Sequence, residues 1–407
     1  MRERHILSIA AAVIVWLPGY LSAQPAEWKG RIITENGVRV VVNPEKPLFG
    51  EITMTLKEEL TIGNEQDDRQ YFYGAIGVAV DSEGRIFILD GEQSRIQIFD
   101  RDGKFIRSFG RKGQGPGEFQ SPAGICIIGG SSICTIDSPR LLIFGLDGNL
   151  KNSISLRPRA RAPFAVGGQG EILAVSRART PEKNLVYKVS LFDPKGNKIK
   201  DFIESPFEEI RFPANKIIIN KDEQADPRLV PWMPGIGIFG LVKRYELTFI
   251  GKEGQIAFIV RREGESIPYT DQERQRNLEA RKRAQEKIPG SARLSASELK
   301  LAYDLPKHRP YFIYLLSDEG GRVYALMEPE PGFKKGFEYD LFDREGYYLY
   351  RVHMPPRVIP ECIVGGRLYS SGFDKSGLRY IKRYRIMNWD KISPAALKKS
   401  PSLPWQS

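Results

Sequence analysis

Residues 75–110 read AIGVAVDSEGRIFILDGEQSRIQIFDRDGKFIRSFG, and this stretch decides how the rest of the chain is interpreted. It holds four apolar runs of strand length, separated by turns rich in Asp, Gly and Ser. Gly84 and Gly103 stand where a tight turn needs a positive φ, and β-branched or aromatic residues fill the runs between them. The pattern predicts a four-stranded antiparallel sheet.

This unit recurs along the chain. An apolar residue followed four positions later by Gly marks the turn before its fourth strand, at Phe99/Gly103, Phe144/Gly148, Phe192/Gly196, Ile250/Gly254 and Phe342/Gly346. Three more strands follow within residues 357–386, and a separate strand near Leu56 would complete that last set. Because a single such sheet leaves two open edges and buries little area, the recurrence predicts a radial array. We therefore expect an all-β, six-bladed β-propeller of four-stranded antiparallel blades, closed into a ring by an N-terminal strand.

The first unit resembles an NHL repeat. The resemblance rests on Val78-Ala79-Val80-Asp81, on Arg95-Ile96-Gln97-Ile98-Phe99-Asp100, and on Gly113-Gln114-Gly115-Pro116-Gly117-Glu118-Phe119 at the junction with the next unit. The mature chain is similar to bacterial secreted six-bladed β-propeller proteins, a family largely without assigned function. Blades 1 and 2 match closely, whereas blade 4 departs most because it lacks the Asp-x-x-Gly turn of its first hairpin.

Residues 1–23 have the pattern of a secretory signal peptide. Arg2 and Arg4 precede an apolar run at 6–17, Pro18 interrupts it, and small residues precede Gln24. The run is short for the roughly 20 residues of a spanning helix, which argues against the alternative of an uncleaved anchor. We expect cleavage near Ala23 and a secreted or periplasmic protein, with the propeller at 24–392, a C-terminal tail at 393–407, and no transmembrane segment in the mature chain.

A helical insertion is predicted between blades 4 and 5, at about 262–308. Thr270-Asp271-Gln272-Glu273 is a capping box that opens a helix reaching about Lys287, and Ser295-Ala296-Ser297-Glu298 opens a shorter one ending near Pro306. The first helix is mostly polar all round, so it buries little. It is expected to lie over the end of the ring as a lid or rim, or to face a partner; a solvated decoration without a role is the alternative.

The long connections are expected at one end of the ring. In a four-stranded meander the first and third turns lie at one end, while the second turn and the crossover to the next blade lie at the other. The second end, here called the loop-rich end, collects residues 63–74, 110–122, 176–185, 205–213, 261–310 and 327–338. Loops on a rigid scaffold carry function, so we expect any binding site there.

Charged residues flank the second turn of each blade in a repeating arrangement. Asp90 with Arg95, and Asp137 with Arg140, are predicted to form structural, bidentate ion pairs. Blades 3 and 5 replace them with Ser176 and Lys188, and with Met327 and Glu338, which marks this half of the ring for binding. The candidate ligand-binding residues are Arg111, Lys112, Arg177, Arg179, His308 and Arg309, with Lys183, Lys334 and Lys335 nearby.

Two further features have structural alternatives. The glycines at 110, 113, 115 and 117 could form a nest of backbone N–H groups that holds an anion beside Arg111 and Lys112, or could only permit a tight crossover. Cys126, Cys134 and Cys362 are interpreted as small buried apolar residues. A disulfide between Cys126 and Cys134 stays open, although directly opposed strand cysteines fit its geometry poorly.

Composition narrows the function classes. A net charge of +11 could favour acidic partners but more often reflects a solvated surface, and secretion and the absence of RNA-binding, zinc-finger or phosphate-loop motifs argue against nucleic acid. A zinc lyase would need several histidines, yet only His308 and His353 follow the signal peptide. A divalent ion held near the axis by Glu, Asp and Asn stays possible, although no such ligand set stands out and no cofactor is predicted.

The sequence therefore favours a non-catalytic, monomeric propeller that binds a ligand, or a protein or glycan partner, at the loop-rich end. One alternative is a metal-dependent hydrolase or lactonase with its site in the central channel. Another is a structural module of a cell-envelope assembly. An exposed Tyr71, Tyr73 or Trp232 would favour a protein partner, since aromatic residues anchor interfaces.

Overall fold

The computed structural model describes residues 27–63, 67, 69–74, 76–211, 218–220, 225–286, 293–329, 336–374 and 377–392. Six four-stranded antiparallel blades surround a central axis, and the first strand of each blade contacts the first strand of the next until the ring closes. The fold is the six-bladed β-propeller that the repeat predicts.

The strands follow in chain order. Before the first blade come β1 (Arg31–Glu35), β2 (Val38–Asn43), β3 (Glu51–Thr53) and β4 (Leu56–Ile62). Blade 1 contains β5 (Ile76–Val80), β6 (Ile86–Asp90), β7 (Arg95–Phe99) and β8 (Phe105–Phe109). Blade 2 contains β9 (Ala123–Ile128), β10 (Ser132–Asp137), β11 (Arg140–Gly145) and β12 (Leu150–Ser155). Blade 3 contains β13 (Ala160–Val166), β14 (Ile172–Arg179), β15 (Leu185–Phe192) and β16 (Lys198–Phe207).

The second half of the ring is less regular. A small hairpin of β17 (Glu209–Arg211) and β18 (Ile218–Asn220) precedes blade 4, which contains β19 (Arg228–Pro231), β20 (Gly237–Leu241), β21 (Glu246–Ile250) and β22 (Ile256–Arg262). Helices α1 (Asp271–Gln285) and α2 (Ala296–Tyr303) follow. Blade 5 contains β23 (Tyr314–Ser317), β24 (Val323–Leu326), β25 (Phe337–Phe342) and β26 (Tyr348–Met354). Blade 6 contains β27 (Ile359–Val364), β28 (Arg367–Phe373) and β29 (Arg379–Ile386), and α3 (Trp389–Ile392) follows it.

The N-terminal strand closes the ring. Strand β4 pairs antiparallel with β29, with Leu56 opposite Ile386 and Ile62 opposite Ile381, and so becomes the fourth strand of blade 6. This is the arrangement predicted from the unpaired strand near Leu56.

Residues 31–62 form an outer belt across three neighbouring blades. Strand β2 runs parallel to β22 and extends blade 4, β3 runs parallel to β26 on blade 5, and β4 completes blade 6. The hairpin β1–β2 turns at Asn36 and Gly37, both with positive φ, a conformation that an Asn-Gly pair adopts readily in a two-residue hairpin turn. That this hairpin joins the edge of blade 4 was not expected from the sequence.

Asn43, fully buried at the end of β2, fixes the belt to blade 5. Its side-chain oxygen accepts hydrogen bonds from Trp28 Nε1 at 3.0 Å and from the backbone N–H of Tyr348 at 2.8 Å. Its amide nitrogen donates to the backbone oxygens of Gly346 at 2.8 Å and Arg261 at 3.4 Å. One side chain therefore satisfies backbone groups of blades 4 and 5 together.

Apolar side chains fill the spaces between neighbouring blades. Between blades 4 and 5, Trp232 lies edge-on to Phe249 and Phe258, with ring centroids 5.1 and 5.8 Å apart. Trp232 is only 2% exposed, so the interpretation of this residue as a possible exposed interface aromatic is wrong, whereas Tyr73 is 55% exposed. Trp232 directly follows β19, and the sequence around it lacks a regular strand pattern, so its position in the core was not predicted.

The three cysteines are free thiols. Cys134 on β10 stands directly opposite Cys126 on β9, which is the register left open by the sequence. The neighbouring Cys126 thiol and burial raise the pKa of Cys134, so this thiol stays protonated.

Both helices of the insertion begin at the predicted caps. Thr270 and Ser295 each accept a hydrogen bond from the third residue of their helix, and Glu273 and Glu298 complete the two capping boxes. Helix α1 buries no residue, in keeping with its polar sequence, whereas α2 buries Leu299. Within the described residues, no helix has the length and apolar character needed to cross a membrane. Residues 1–23 and 393–407, predicted as signal peptide and tail, lie outside the described residues.

Candidate functional site

A cavity of about 790 Å³ lies between the insertion and blades 4 and 5. The ring side of its wall comes from Arg228 and Val242 of blade 4 and from Ile313 and Glu328 of blade 5. These residues stand at strand ends or in connections at the loop-rich end of the propeller. The opposite wall comes from α1, α2 and the residues that follow α2. The insertion therefore lies over blades 4 and 5 at the loop-rich end.

Polar contacts, and not apolar burial, hold α1 in place. The guanidinium of Arg274 donates to the backbone oxygens of Leu305 and Pro306, the latter at 2.6 Å. Asn277 donates to the backbone oxygen of Tyr303 at 2.7 Å. These bonds tie α1 to the segment after α2, which explains how a polar helix keeps a fixed position over the cavity.

Four side chains join the insertion to blade 5. The Tyr269 hydroxyl donates to the Glu328 carboxylate at 2.6 Å, and Arg309 lies 3.6 Å from the same carboxylate. Arg309 also forms an ion pair with Glu273, and its guanidinium lies 5.1 Å from the centre of the Tyr269 ring. At the cavity wall, the Glu328 carboxylate thus lies between the neutral hydroxyl of Tyr269 and the guanidinium of Arg309, which it shares with Glu273.

Burial is the main influence on the titration of this cluster. It raises the pKa of Glu328, while the Tyr269 hydrogen bond and the Arg309 charge oppose the rise. Burial and the adjacent carboxylate raise the pKa of Tyr269, so its hydroxyl stays protonated. Glu328 therefore takes up a proton at higher pH than an exposed glutamate.

Two cations face the cavity from the insertion. The Arg281 guanidinium lies 4.6 Å from the centre of the Tyr303 ring, and Lys300 is an exposed residue of α2. Neither has an ion-pair partner among the residues that the structure describes. A third cation, Arg228, donates to the backbone oxygen of Ile313 at 2.6 Å and lies 3.5 Å from Asp226.

The first strands of the blades carry a few polar residues that the sequence analysis did not single out. Arg161 on β13 pairs with Asp226 at 2.5 Å, which links blades 3 and 4 beside the cavity. On β27, Glu361 accepts a hydrogen bond from Ser371 at 2.5 Å, and burial raises the pKa of Glu361. Among the described residues, no group of three or more His, Cys, Asp or Glu side chains is placed to hold a metal ion.

The predicted ligand-binding residues lie at three separate places on the ring. Arg309 lies beside the cavity, and His308 precedes it in a short bridge to Pro268. Arg177 and Arg179 belong to β14 of blade 3, where Arg177 packs 5.2 Å from the centre of the Tyr187 ring and Arg179 donates to the Lys183 backbone oxygen. Lys334 and Lys335 lie outside the described residues. Of the described candidates, Arg309 is the one shown in contact with a residue of the cavity wall, Glu328, and it does not itself line the cavity.

Arg111 and Lys112 lie at the junction of blades 1 and 2, and the glycine nest there is filled by the chain itself. The Glu118 carboxylate accepts from the backbone N–H of Gly115 at 2.9 Å and from Arg111 Nε at 2.7 Å. The Gly115 hydrogen bond and the Arg111 contact lower the pKa of Glu118, which keeps the carboxylate charged. The Gly115 N–H is thus used by Glu118 and the Gly113 N–H donates to the Phe119 carbonyl, so these two groups already have acceptors within the chain.

The two charged pairs of blades 1 and 2 differ in detail. Arg140 forms an ion pair with Asp137, whose carboxylate also accepts from the backbone N–H groups of Gln120 and Ser121 at 3.0 and 2.6 Å. In blade 1, Arg95 lies 3.9 Å from Asp90 and donates instead to the Tyr71 backbone oxygen at 2.8 Å. Both predicted ion pairs are present, but neither is bidentate: Arg140 contacts a single carboxylate oxygen of Asp137, and Arg95 makes only the 3.9 Å contact with Asp90. The buried Asp90 carboxylate accepts from the backbone N–H of Tyr73 in the incoming crossover at 3.3 Å and from that of Gln93 in the turn at 3.2 Å.

The sequence missed most of the cavity wall. Tyr269, Arg281, Lys300 and Glu328 were not singled out, although all except Glu328 lie in the predicted insertion. The capping boxes located the two helices, but a polar helix gives no apolar face that indicates its orientation. The available signal was the length of this connection and its position at the loop-rich end.

Comparisons with known proteins agree with the fold. The profile of a family described as a 6-bladed beta-propeller matches residues 71–230. No curated protein sequence matches the chain. The resemblance to NHL repeats stays a prediction from the sequence.

A solved structure gives the same picture. A candidate exported protein from Bacteroides fragilis is similar to this chain with a TM-score of 0.52 and 15% identity, over 85% of this chain and 99% of that one. A virginiamycin B lyase from Staphylococcus aureus is similar with a TM-score of 0.37 and 11% identity, over 82% of this chain and 89% of that one. At 15% identity the likeness to the Bacteroides protein concerns the fold alone.

Proposed function

We propose that this protein is a non-catalytic propeller that binds a small ligand in the cavity between the insertion and blades 4 and 5. The observation that carries the proposal is the cavity itself, because its volume falls within the range of small-molecule sites. Its wall combines apolar side chains such as Val242, Leu301 and Ile313 with a few charged groups. Such a wall binds the body of a ligand by burial and orients it by polar contacts.

The position of the cavity supports the same proposal. Blades 4 and 5 are rigid β-sheets with a packed apolar core between them, whereas α1 and α2 rest on them mainly through polar contacts. A fixed floor with a less tightly packed cover allows a ligand to enter by local opening of the cover.

A fluorescent apolar probe tests the proposal. N-phenyl-1-naphthylamine gains fluorescence when it leaves water, and it should bind the purified protein saturably. Leu301, which is 52% exposed and lines the cavity, is replaced by Trp to fill the space. The L301W variant should bind the probe at least about tenfold more weakly.

The matched control places the same bulky residue on the exposed part of α1. The R276W variant should bind the probe as the wild type does, because Arg276 is exposed and does not line the cavity. Equal binding by wild type, L301W and R276W would refute the cavity as the binding site, as would the absence of saturable binding.

We propose further that the protein is exported, with cleavage near Ala23, and that it acts as a monomer. The pattern of residues 1–23 supports export. N-terminal sequencing of the protein from the periplasm or medium of the producing cells, together with its mass in solution, tests both statements. An N-terminus that retains residues 1–23, or a dimeric mass, would contradict them.

A further inference from the structure

We propose that the ligand of this cavity is an anionic amphiphile, a small molecule with an apolar body and a single negatively charged group. This inference rests on the proposed binding function and adds the chemical class of the ligand.

The first step is that the cationic groups of the wall are not neutralised. Arg281 and Lys300 both line the cavity, and neither has an acidic partner within the described residues. Arg281 stacks on Tyr303, which holds its guanidinium in place without removing its charge. Two cations from different helices therefore converge on the same space.

The second step is that the acidic groups of the wall already have partners. Glu328 accepts from Tyr269 and lies near Arg309, and Asp304 lies 3.5 Å from Arg274. Arg274 offsets the charge of Asp304, and Arg309, which is shared with Glu273, offsets part of the charge of Glu328. The lining cations Arg228, Arg281 and Lys300 outnumber the two lining carboxylates. The remaining electrostatic potential of the cavity is positive, which favours an anion and disfavours a cation.

The third step is that much of the remaining wall is apolar. Val242 and Ile313 on the ring face Leu301 and Leu305 of the insertion across the cavity. Leu301 lines the cavity and is 52% exposed. A ligand that covers these side chains gains from their burial, so the anionic group should be attached to an apolar body.

A matched pair of probes tests the charge preference. 8-Anilino-1-naphthalenesulfonate has the body of N-phenyl-1-naphthylamine with one added sulfonate, which stays ionised at all working pH values. The wild type should bind the sulfonate at least about tenfold more tightly than the neutral probe, since two nearby cations contribute to the sulfonate complex alone.

The variant R281Q/K300Q removes both cations. It should lose about tenfold in affinity for the sulfonate and keep its affinity for the neutral probe. The control is K282Q, which changes an exposed lysine of α1 that is paired with Glu279 at 2.8 Å and does not line the cavity. Equal melting temperatures of the three proteins would establish that the fold is intact.

The outcomes separate the two proposals. The inference is supported if R281Q/K300Q binds the sulfonate more weakly while K282Q binds it as the wild type does. L301W should then bind both probes more weakly. The charge inference is refuted, while the binding function stands, if the wild type binds both probes with equal affinity and L301W binds both more weakly. It is refuted in the same way if R281Q/K300Q still prefers the sulfonate. If neither probe responds to L301W, the binding function itself is refuted.

Discussion

Blades 1 and 2 differ from blades 4 and 5 in how their ends are held at the loop-rich end. In blade 2, the buried Asp137 caps two backbone N–H groups of the crossover and pairs with Arg140. Blades 4 and 5 are extended by the outer belt and covered by the insertion. The repeat forms a closed, capped connection by default, and the cavity arises where added segments replace that connection.

Asn43, which joins the belt to blades 4 and 5, is the position where substitution should destabilise the protein most. The change Asn43→Ala leaves the Tyr348 N–H and the Gly346 carbonyl without their side-chain partner in a buried region. The free energy of unfolding should fall by about 4 kcal/mol, measured by urea denaturation. Asn149→Ala, which changes an exposed turn residue of blade 2, should cost only about 0.5 kcal/mol. Equal losses would contradict the assignment of Asn43 as a link between blades.

A smaller loss in the free energy of unfolding is expected at Asp137 in blade 2, and almost none at the equivalent Ser176 in blade 3. Asp137→Ala should lower the free energy of unfolding by about 3 kcal/mol, because two backbone N–H groups and Arg140 lose their buried acceptor. Ser176→Ala should change it by no more than about 0.5 kcal/mol. The Ser176 hydroxyl is buried without a hydrogen-bond partner among the described residues, so its removal loses no bond. A large loss in S176A would remove the contrast between the two blades.

A smaller effect concerns the pH dependence of anion binding. Glu328 faces Tyr269, Arg309 and Glu273, and burial raises its pKa. As the pH falls, Glu328 becomes neutral before an ordinary glutamate does, so the cavity becomes more positive and the naphthalenesulfonate should bind more tightly. The pKa of Glu273 is lowered by the Thr270 backbone hydrogen bond, so Glu273 titrates at lower pH.

The variant E328Q tests this dependence by fluorescence titration between pH 8 and pH 4.5. It should bind the sulfonate more tightly than the wild type at pH 8, and the increase on acidification should be smaller. E279Q, which alters an exposed part of α1, should behave as the wild type. An unchanged pH profile in E328Q would assign the effect to another group.

The smallest effect is local to the insertion. Thr270→Ala removes one capping interaction, which is worth about 1 kcal/mol to α1. Because α1 buries no residue, the global unfolding transition should not move, while the rate of tryptic cleavage within α1 should rise about fivefold. Gln272→Ala in the same first turn should leave the cleavage rate unchanged. A shift of the global transition in T270A would mean that the insertion unfolds together with the ring.

Much of the fold was predictable because it depends on local patterns. Turn residues such as Gly84 and Gly103 have positive φ, and the capping boxes at Thr270 and Ser295 open helices at those residues. The unpaired strand near Leu56 was found by counting strands. These features are encoded within a few neighbouring residues, so a single sequence displays them.

The site was less predictable because it depends on contacts between distant segments. Arg111 had the pattern of a residue that binds an external anion, yet it pairs with the carboxylate of Glu118, seven positions away. Glu328 and Tyr269 meet across 59 positions, and nothing near either residue indicates the other. Trp232 was considered as an exposed aromatic, and only the packing against Phe249 identifies it as a core residue.

The outer belt also imposes an order on folding. Glu59 and Arg385, which face each other in blade 6, are 326 positions apart in the chain. Residues 31–62 are synthesised before the strand edges that they cover. Their N–H and C=O groups that pair with blades 4, 5 and 6 therefore stay without partners until those blades form. Contacts of such long sequence separation form slowly, since loop closure must precede the gain from pairing. Ring closure should therefore be the late, rate-limiting step of folding, and a chain truncated before β29 would retain β4 as an open edge prone to aggregation.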